Sequence, residues 1–227
     1  MYIKFILITY YFLWGVMIIA VANPKGGVGK TTSILNLAVM LNASSVIDLD
    51  LHESISVIDS LRIGGGYSSL SSVIIRDEKK LISEIKKHYQ NEERHLLIDC
   101  GGFDSDLIAV AIASADLVIT PTSDDVTELN ALRIFNDVLN RISINMDKTI
   151  YAYAFPNRVH HAKNDFSTLS GWVDNFEHLK FMNTPIISSQ DIAKAAHSGL
   201  SVSETKATAK ATLCYKKLIE EILKHER

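Results

Sequence analysis

Cysteine is scarce in this chain: 227 residues contain two, Cys100 and Cys214. Two distant thiols form neither a disulfide framework nor a metal-ligand spacing, and the paired-cysteine motif of a metal or cluster carrier is missing. A surplus of basic charge is lacking too. Twenty-three Lys and Arg stand against 26 Asp and Glu, a formal net charge of −3, so no global basic footprint marks the chain for nucleic acid. There is no internal repeat and no linker that divides the chain. The one low-complexity stretch, residues 64–72, reads as a flexible surface loop. The eight histidines form one adjacent pair, His160-His161, read as solvated rather than metal-binding. These absences leave one domain, long enough to bury a real core.

The informative presence is Asn23-Pro-Lys-Gly-Gly-Val-Gly-Lys-Thr-Thr32. An apolar, partly β-branched run, residues 16–22, precedes it and suits a buried strand. Residues 33–41 follow with apolar side chains at helical spacing. Strand, glycine loop and helix together make a phosphate cradle. Glycines let backbone N–H groups turn toward phosphate oxygens, and a helix N-terminus adds partial positive charge. In this reading Gly26, Gly27, Val28, Gly29, Lys30, Thr31 and Thr32 hold the phosphates. Lys30 reaches the β- and γ-phosphates of ATP and the Thr31 hydroxyl binds Mg2+.

Pro24 stands where the general phosphate-loop pattern requires glycine. The segment Lys25-Gly-Gly-Val-Gly-Lys-Thr31 instead resembles the deviant Walker A motif of the ParA/MinD ATPases, and the resemblance runs from about Met17 to the end, closest to the short plasmid-partition ParA proteins. It implies a slow, partner-stimulated Mg2+-dependent ATPase that forms a nucleotide-sandwich homodimer, with Lys25 reaching the partner's phosphates. The physical logic is that of a trans-acting arginine finger. The resemblance also implies that Asp50, second acid of Asp48-Leu-Asp50, positions the attacking water near the metal, and makes Asp48 structural. The family usually continues with Pro-Gln, where this chain has Leu51-His52.

His95-Leu-Leu-Ile-Asp-Cys-Gly-Gly102 is the Walker B candidate, a strand delivering Asp99 to the metal at its carboxyl end. Gly101 and Gly102 let the next loop sense the γ-phosphate. Cys100 reads as a small, half-buried residue beside the site. Residues 115–122 form another strand, followed by a helix from about Asp125 to Arg141. Residues 149–155 form the next strand. By resemblance, Asn157 after it contacts adenine, and Arg158 stacks on the base or faces solvent.

Residues 77–89 form an amphipathic helix, and Phe166, Leu169, Val173 and Phe176 lie at helical spacing. Strands alternating with helices imply an α/β fold, a doubly wound, mostly parallel sheet flanked by helices. Near the end, Lys206, Lys210, Lys216, Lys217, Lys224 and Arg227 accompany Leu213, Leu218, Ile219 and Ile222. They suit either weak contact with non-specific DNA or the solvated face of a docked helix. A membrane-surface helix of the MinD kind suits the interspersed glutamates less well.

The run from Phe5 to Ala22 is long enough to raise a transmembrane or signal segment, yet its last third is needed as the first strand. Residues 1–16 are therefore expected to be an upstream extension, with translation starting at Met17 and a membrane tether as the rival. Residues 17–227 are then a single ATPase domain. The implied role is plasmid or chromosome partition in the cytoplasm, at the nucleoid, with a ParB-like centromere-binding adaptor. A MinD-like positioning ATPase or a conjugation or regulatory ATP switch are the alternatives.

Overall fold

A computed structural model describes residues 16–91, 94–101 and 106–225. Residues 1–15, Gly102 and Arg227 lie outside the described residues, and with them the expectations placed there. Seven strands form one sheet: β1 (Ile18–Ala22), β2 (Ser45–Asp48), β3 (Ser72–Ile74), β4 (Leu96–Cys100), β5 (Leu117–Thr122), β6 (Ala152–Pro156) and β7 (Leu179–Phe181), in the order β3-β2-β4-β1-β5-β6-β7. Every pairing is parallel.

Parallel strands need crossovers, here supplied by helices on both faces. They are α1 (Lys30–Met40), α2 (Ser54–Gly64), α3 (Glu78–Asn91), α4 (Asp106–Ser114), α5 (Val126–Met146), α6 (Ser167–Val173), α7 (Gln190–His197), α8 (Val202–Thr205) and α9 (Lys210–Ile222). Strand side chains alternate between two cores. Ile18, Ala20 and Ala22 of β1 join α3, α4, α5 and α6 on one face, where Phe135 and Leu139 are wholly buried. Ile19 and Val21 point the other way, onto Ile34, Leu35 and Leu37 of α1 and Tyr215 and Leu218 of α9.

Several elements differ from the sequence reading. The helix after β5 runs to Met146, and the Asp125 side chain caps it by accepting from the Thr127 N–H. The segment 64–72 begins inside α2 and runs into edge strand β3. Its far end is pinned by Asp59, which accepts from the Ser69 hydroxyl, the Leu70 N–H and the Ser72 hydroxyl. Leu213 lies on the exposed side of α9, whereas Leu218 and Ile222 are buried. Leu169 and Val173 are buried in α6, as their spacing predicts.

Strand β1 sits between β4 and β5. The chain leaves it leftward to β2, and after β4 returns across it to β5. The crevice at such a reversal, at the carboxyl ends of the strands, is where open α/β sheets bind ligands. Among the described residues no helix is long and apolar enough to cross a membrane.

Candidate phosphate-binding site

The loop between β1 and α1 opens into that crevice. Asn23 anchors its start from full burial. The Asn23 amide donates to Thr120 Oγ1 at 2.9 Å and to the Pro121 carbonyl at 3.0 Å, and its oxygen accepts from the Lys25 N–H at 2.9 Å. Gly29 precedes α1 with φ +102°, and no side chain caps the helix. The first amides of α1 thus keep the positive end of the helix dipole for an anion. A Cβ on Gly29 would meet Asn157 Nδ2 at 2.3 Å, so backbone conformation and packing both demand glycine there.

Lys30, the first residue of α1, donates from Nζ to the Lys25 carbonyl at 3.1 Å. Burial lowers its pKa, and Asp99 and Asp50 act against that shift. Thr31 Oγ1 donates to Asp99 Oδ2 at 2.8 Å. Asp99 is wholly buried in β4, and its Oδ1 has no hydrogen-bond partner. Desolvation pushes the Asp99 carboxyl up to about 7, with Asp48 and Asp50 adding to the shift and Thr31 and Lys30 opposing it. A hydroxyl beside a buried carboxylate that keeps an unpartnered oxygen is an oxygen donor set that suits Mg2+.

Asp48 is fully engaged: Oδ1 accepts from the Asp50 N–H, and Oδ2 accepts from the N–H and hydroxyl of Ser56. Asp50 lies just beyond β2 and accepts from the His52 N–H at 3.0 Å and the Ser54 hydroxyl at 3.1 Å. Arg76 donates to the Asp48 and Asp50 carbonyls and so ties this turn to the end of β3. A Cβ on Gly101 would fall 2.2 Å from Asp50 Cβ, so the end of β4 closes directly onto the Asp50 turn. Cys100 is fully buried, not half-buried, and burial raises its thiol pKa far from nucleophilic use.

Across the loop, Asn157 donates from Nδ2 to the Val28 carbonyl at 2.7 Å. Arg158 adopts φ +55°, bonds the Gly27 carbonyl and pairs with Glu128 Oε1 at 3.1 Å. Lys25 also turns to α5: its Nζ bonds the Thr127 hydroxyl and lies 3.7 Å from both Asp125 Oδ1 and Glu128 Oε1. Val28 is buried under the loop, while Gly26 faces open space. Lys25, Lys30, Asp50, Asp99, Asn157 and Arg158 therefore gather around one crevice.

Sequence reasoning missed Arg76, Thr127 and Glu128, and gave Asn23 and Asp125 no contact of their own. The signal in reach was Asp125, a cap residue at the start of a long helix. Further off, Lys206, Lys210, Lys216, Lys217 and Lys224 are exposed on or beside α9. Lys210 donates to the His161 carbonyl at 3.0 Å and Lys206 meets Asp191 at 3.4 Å. His160 and His161 are exposed and stacked on each other. Among the described residues no three His, Cys, Asp or Glu side chains gather around a metal position.

A parallel sheet with a glycine loop running into α1 and an acid on the adjacent strand defines a P-loop nucleotide-binding fold. The family model for the AAA domain matches residues 16–98. No curated protein matches the sequence. Among solved structures, apo McdA of Cyanothece superposes with TM-score 0.70 at 15% identity, covering 91% of this chain and 99% of that one. MinD of Pyrococcus horikoshii, complexed with Mg-ADP, gives 0.66 at 20% identity over 91% and 96%. A putative plasmid partition protein of Borrelia burgdorferi, bound to AMPPNP, gives 0.66 at 18% identity over 92% and 99%. The chain has the fold of the ParA/MinD deviant Walker A ATPases.

Proposed function

We propose that the chain is a ParA-type ATPase that dimerises with ATP and acts in plasmid or chromosome partition. The observation that carries this reading is the loop with two lysines. Lys30 heads α1 beside the Thr31–Asp99 pair, while Lys25 stands at the loop's outer side with its side chain 32% exposed.

The amides of residues 26–31 and Lys30 hold the phosphates. Thr31 and Asp99 hold Mg2+, which supplies neutralisation of charge on the phosphate oxygens. Asp50 orients the attacking water from a turn that Arg76 and Gly101 support. One N–H of the Asn157 amide is used by the Val28 carbonyl, which leaves its second N–H and its oxygen for adenine, with Arg158 alongside. Lys25 of one chain enters the site of its partner, where a cation counters charge developing on the transferred phosphoryl group. The domain is residues 17–227, and the exposed lysines of α9 supply salt-sensitive, sequence-independent contact with DNA phosphates. A ParB-like adaptor raises turnover, and the protein works in the cytoplasm at the nucleoid.

The test is binding of purified protein to a non-specific DNA duplex with ATP, with ADP and without nucleotide, across a salt series. ATP-dependent, salt-sensitive binding is expected. No binding in any state, with ATP-dependent recruitment to anionic vesicles instead, would replace partition by membrane positioning. Neither DNA nor vesicle binding, with ATP bound but not turned over, would leave a regulatory switch.

A further inference from the structure

Lys25 is not loose in solvent. Three side chains in the first turn of α5 and its cap receive its ammonium: the Thr127 hydroxyl, Asp125 at 3.7 Å and Glu128 at 3.7 Å. Glu128 is the unusual member. A glutamate in a helix's first turn normally faces water, but this one is 2% exposed. A carboxylate withdrawn from water has to be offset by cations. The two that offset it, Lys25 and Arg158, both come from the walls of the phosphate loop. Arg158 is itself fastened to the Gly27 carbonyl, so Glu128 keeps one counter-cation whether or not Lys25 is present. Lys25 can leave without stranding a buried charge.

Lys25 also has one ammonium and two claims on it. The cis claim is the contact with Asp125, Thr127 and Glu128. The trans claim, which rests on the function proposed above, is a phosphate in a partner chain. One ammonium cannot satisfy both.

We propose that Asp125, Thr127 and Glu128 form a resting berth that holds Lys25 on its own chain, and that Lys25 must leave it before two chains can pair over ATP. The berth thus sets the protein concentration at which ATP drives pairing. Loosening it favours the dimer, because less interaction is lost when Lys25 departs. Asp125 is exposed, so removing its charge shifts the balance by no more than about fivefold.

Two readouts on the full chain test this. In the first, nucleotide-free protein is treated briefly with an amine-acylating reagent and modification at Lys25 is followed by peptide mass spectrometry. D125N and E128Q are expected to label at Lys25 faster than wild type, D125N by up to about fivefold, with labelling at Lys216 and Lys217 unchanged. Equal rates at Lys25 would overturn the berth. In the second, pairing is measured by sedimentation against protein concentration with a non-hydrolysable ATP analogue. D125N is expected to pair at severalfold lower concentration. Faster labelling with unchanged pairing would overturn the claim that release limits pairing. Asp125 is exposed and Asn keeps the cap oxygen, so D125N decides the matter even if E128Q folds poorly. K25A separates this inference from the reading beneath it: normal stimulated turnover in K25A would sink the trans role, while the labelling rates still judge the berth.

Discussion

Single residues at this site carry roles that their neighbours dictate. Asp99 is the clearest. Its raised pKa, near 7, belongs to a buried acid that is about half protonated at neutral pH when no cation is present. The sign follows directly. A carboxyl whose folded pKa exceeds its unfolded value stabilises the fold while protonated, and that contribution is lost as pH rises through about 7. Cation binding requires the carboxylate, so Mg2+-dependent nucleotide affinity should fall about fivefold between pH 7 and pH 6 and level off above the pKa. Calorimetric titration at several pH values measures this, and D99N should remove the pH dependence together with the Mg2+ requirement. Lys30→Ala removes a charge-assisted bond to phosphate, worth about 1.5–3 kcal/mol, so nucleotide affinity should drop about 10- to 150-fold by the same titration. Gly29→Ala meets two obstacles, a φ of +102° and Asn157 Nδ2 at 2.3 Å. It should cost about 1–3 kcal/mol in urea unfolding, and adding N157A should recover only the steric share.

Among elements, the strands that hold the site were legible in the sequence and the edges were not. β1, β4 and β5 are buried along their whole length, so they read as continuous apolar runs bounded by turn residues. β3 and β7 have three residues each and are partly exposed, too short to show any period. The glycine loop between β1 and α1 was legible because its motif is local. The Lys25 berth was not, because Lys25 and Thr127 are 102 positions apart and only folding brings them together. The same holds for the tie between α2 and α8: Arg62, nearly buried, makes a two-pronged pair with Glu204 and donates to the Gly199 carbonyl. Arg62→Met strands Glu204, which is only partly exposed and retains the Ser201 N–H. A loss of about 2–4 kcal/mol in urea denaturation is expected, with nucleotide affinity little changed because the pair lies outside the phosphate loop.

For the whole molecule, the site is assembled from the ends of β1, β2, β4, β5 and β6, so a ligand there fastens most of the sheet at once. Saturating ADP with Mg2+, at about 100 times Kd, should add about 2.7 kcal/mol to global stability. The readout is a single shifted thermal transition rather than a split one, and Lys30→Ala should show a shift of no more than about half that size at the same nucleotide concentration. Two transitions would mean that the two cores, one on each side of the sheet, unfold separately.

The place of β1 in that sheet also bears on how the chain is made. β1 is synthesised before its neighbours, yet it pairs Ile18 with Leu96 and Ile19 with Leu117. A wholly apolar strand must therefore wait for some eighty to a hundred residues of further synthesis before either edge is covered. Contacts of such sequence separation slow folding and leave a sticky segment exposed meanwhile. Newly made chains should accordingly depend on holding chaperones until β5 has left the ribosome.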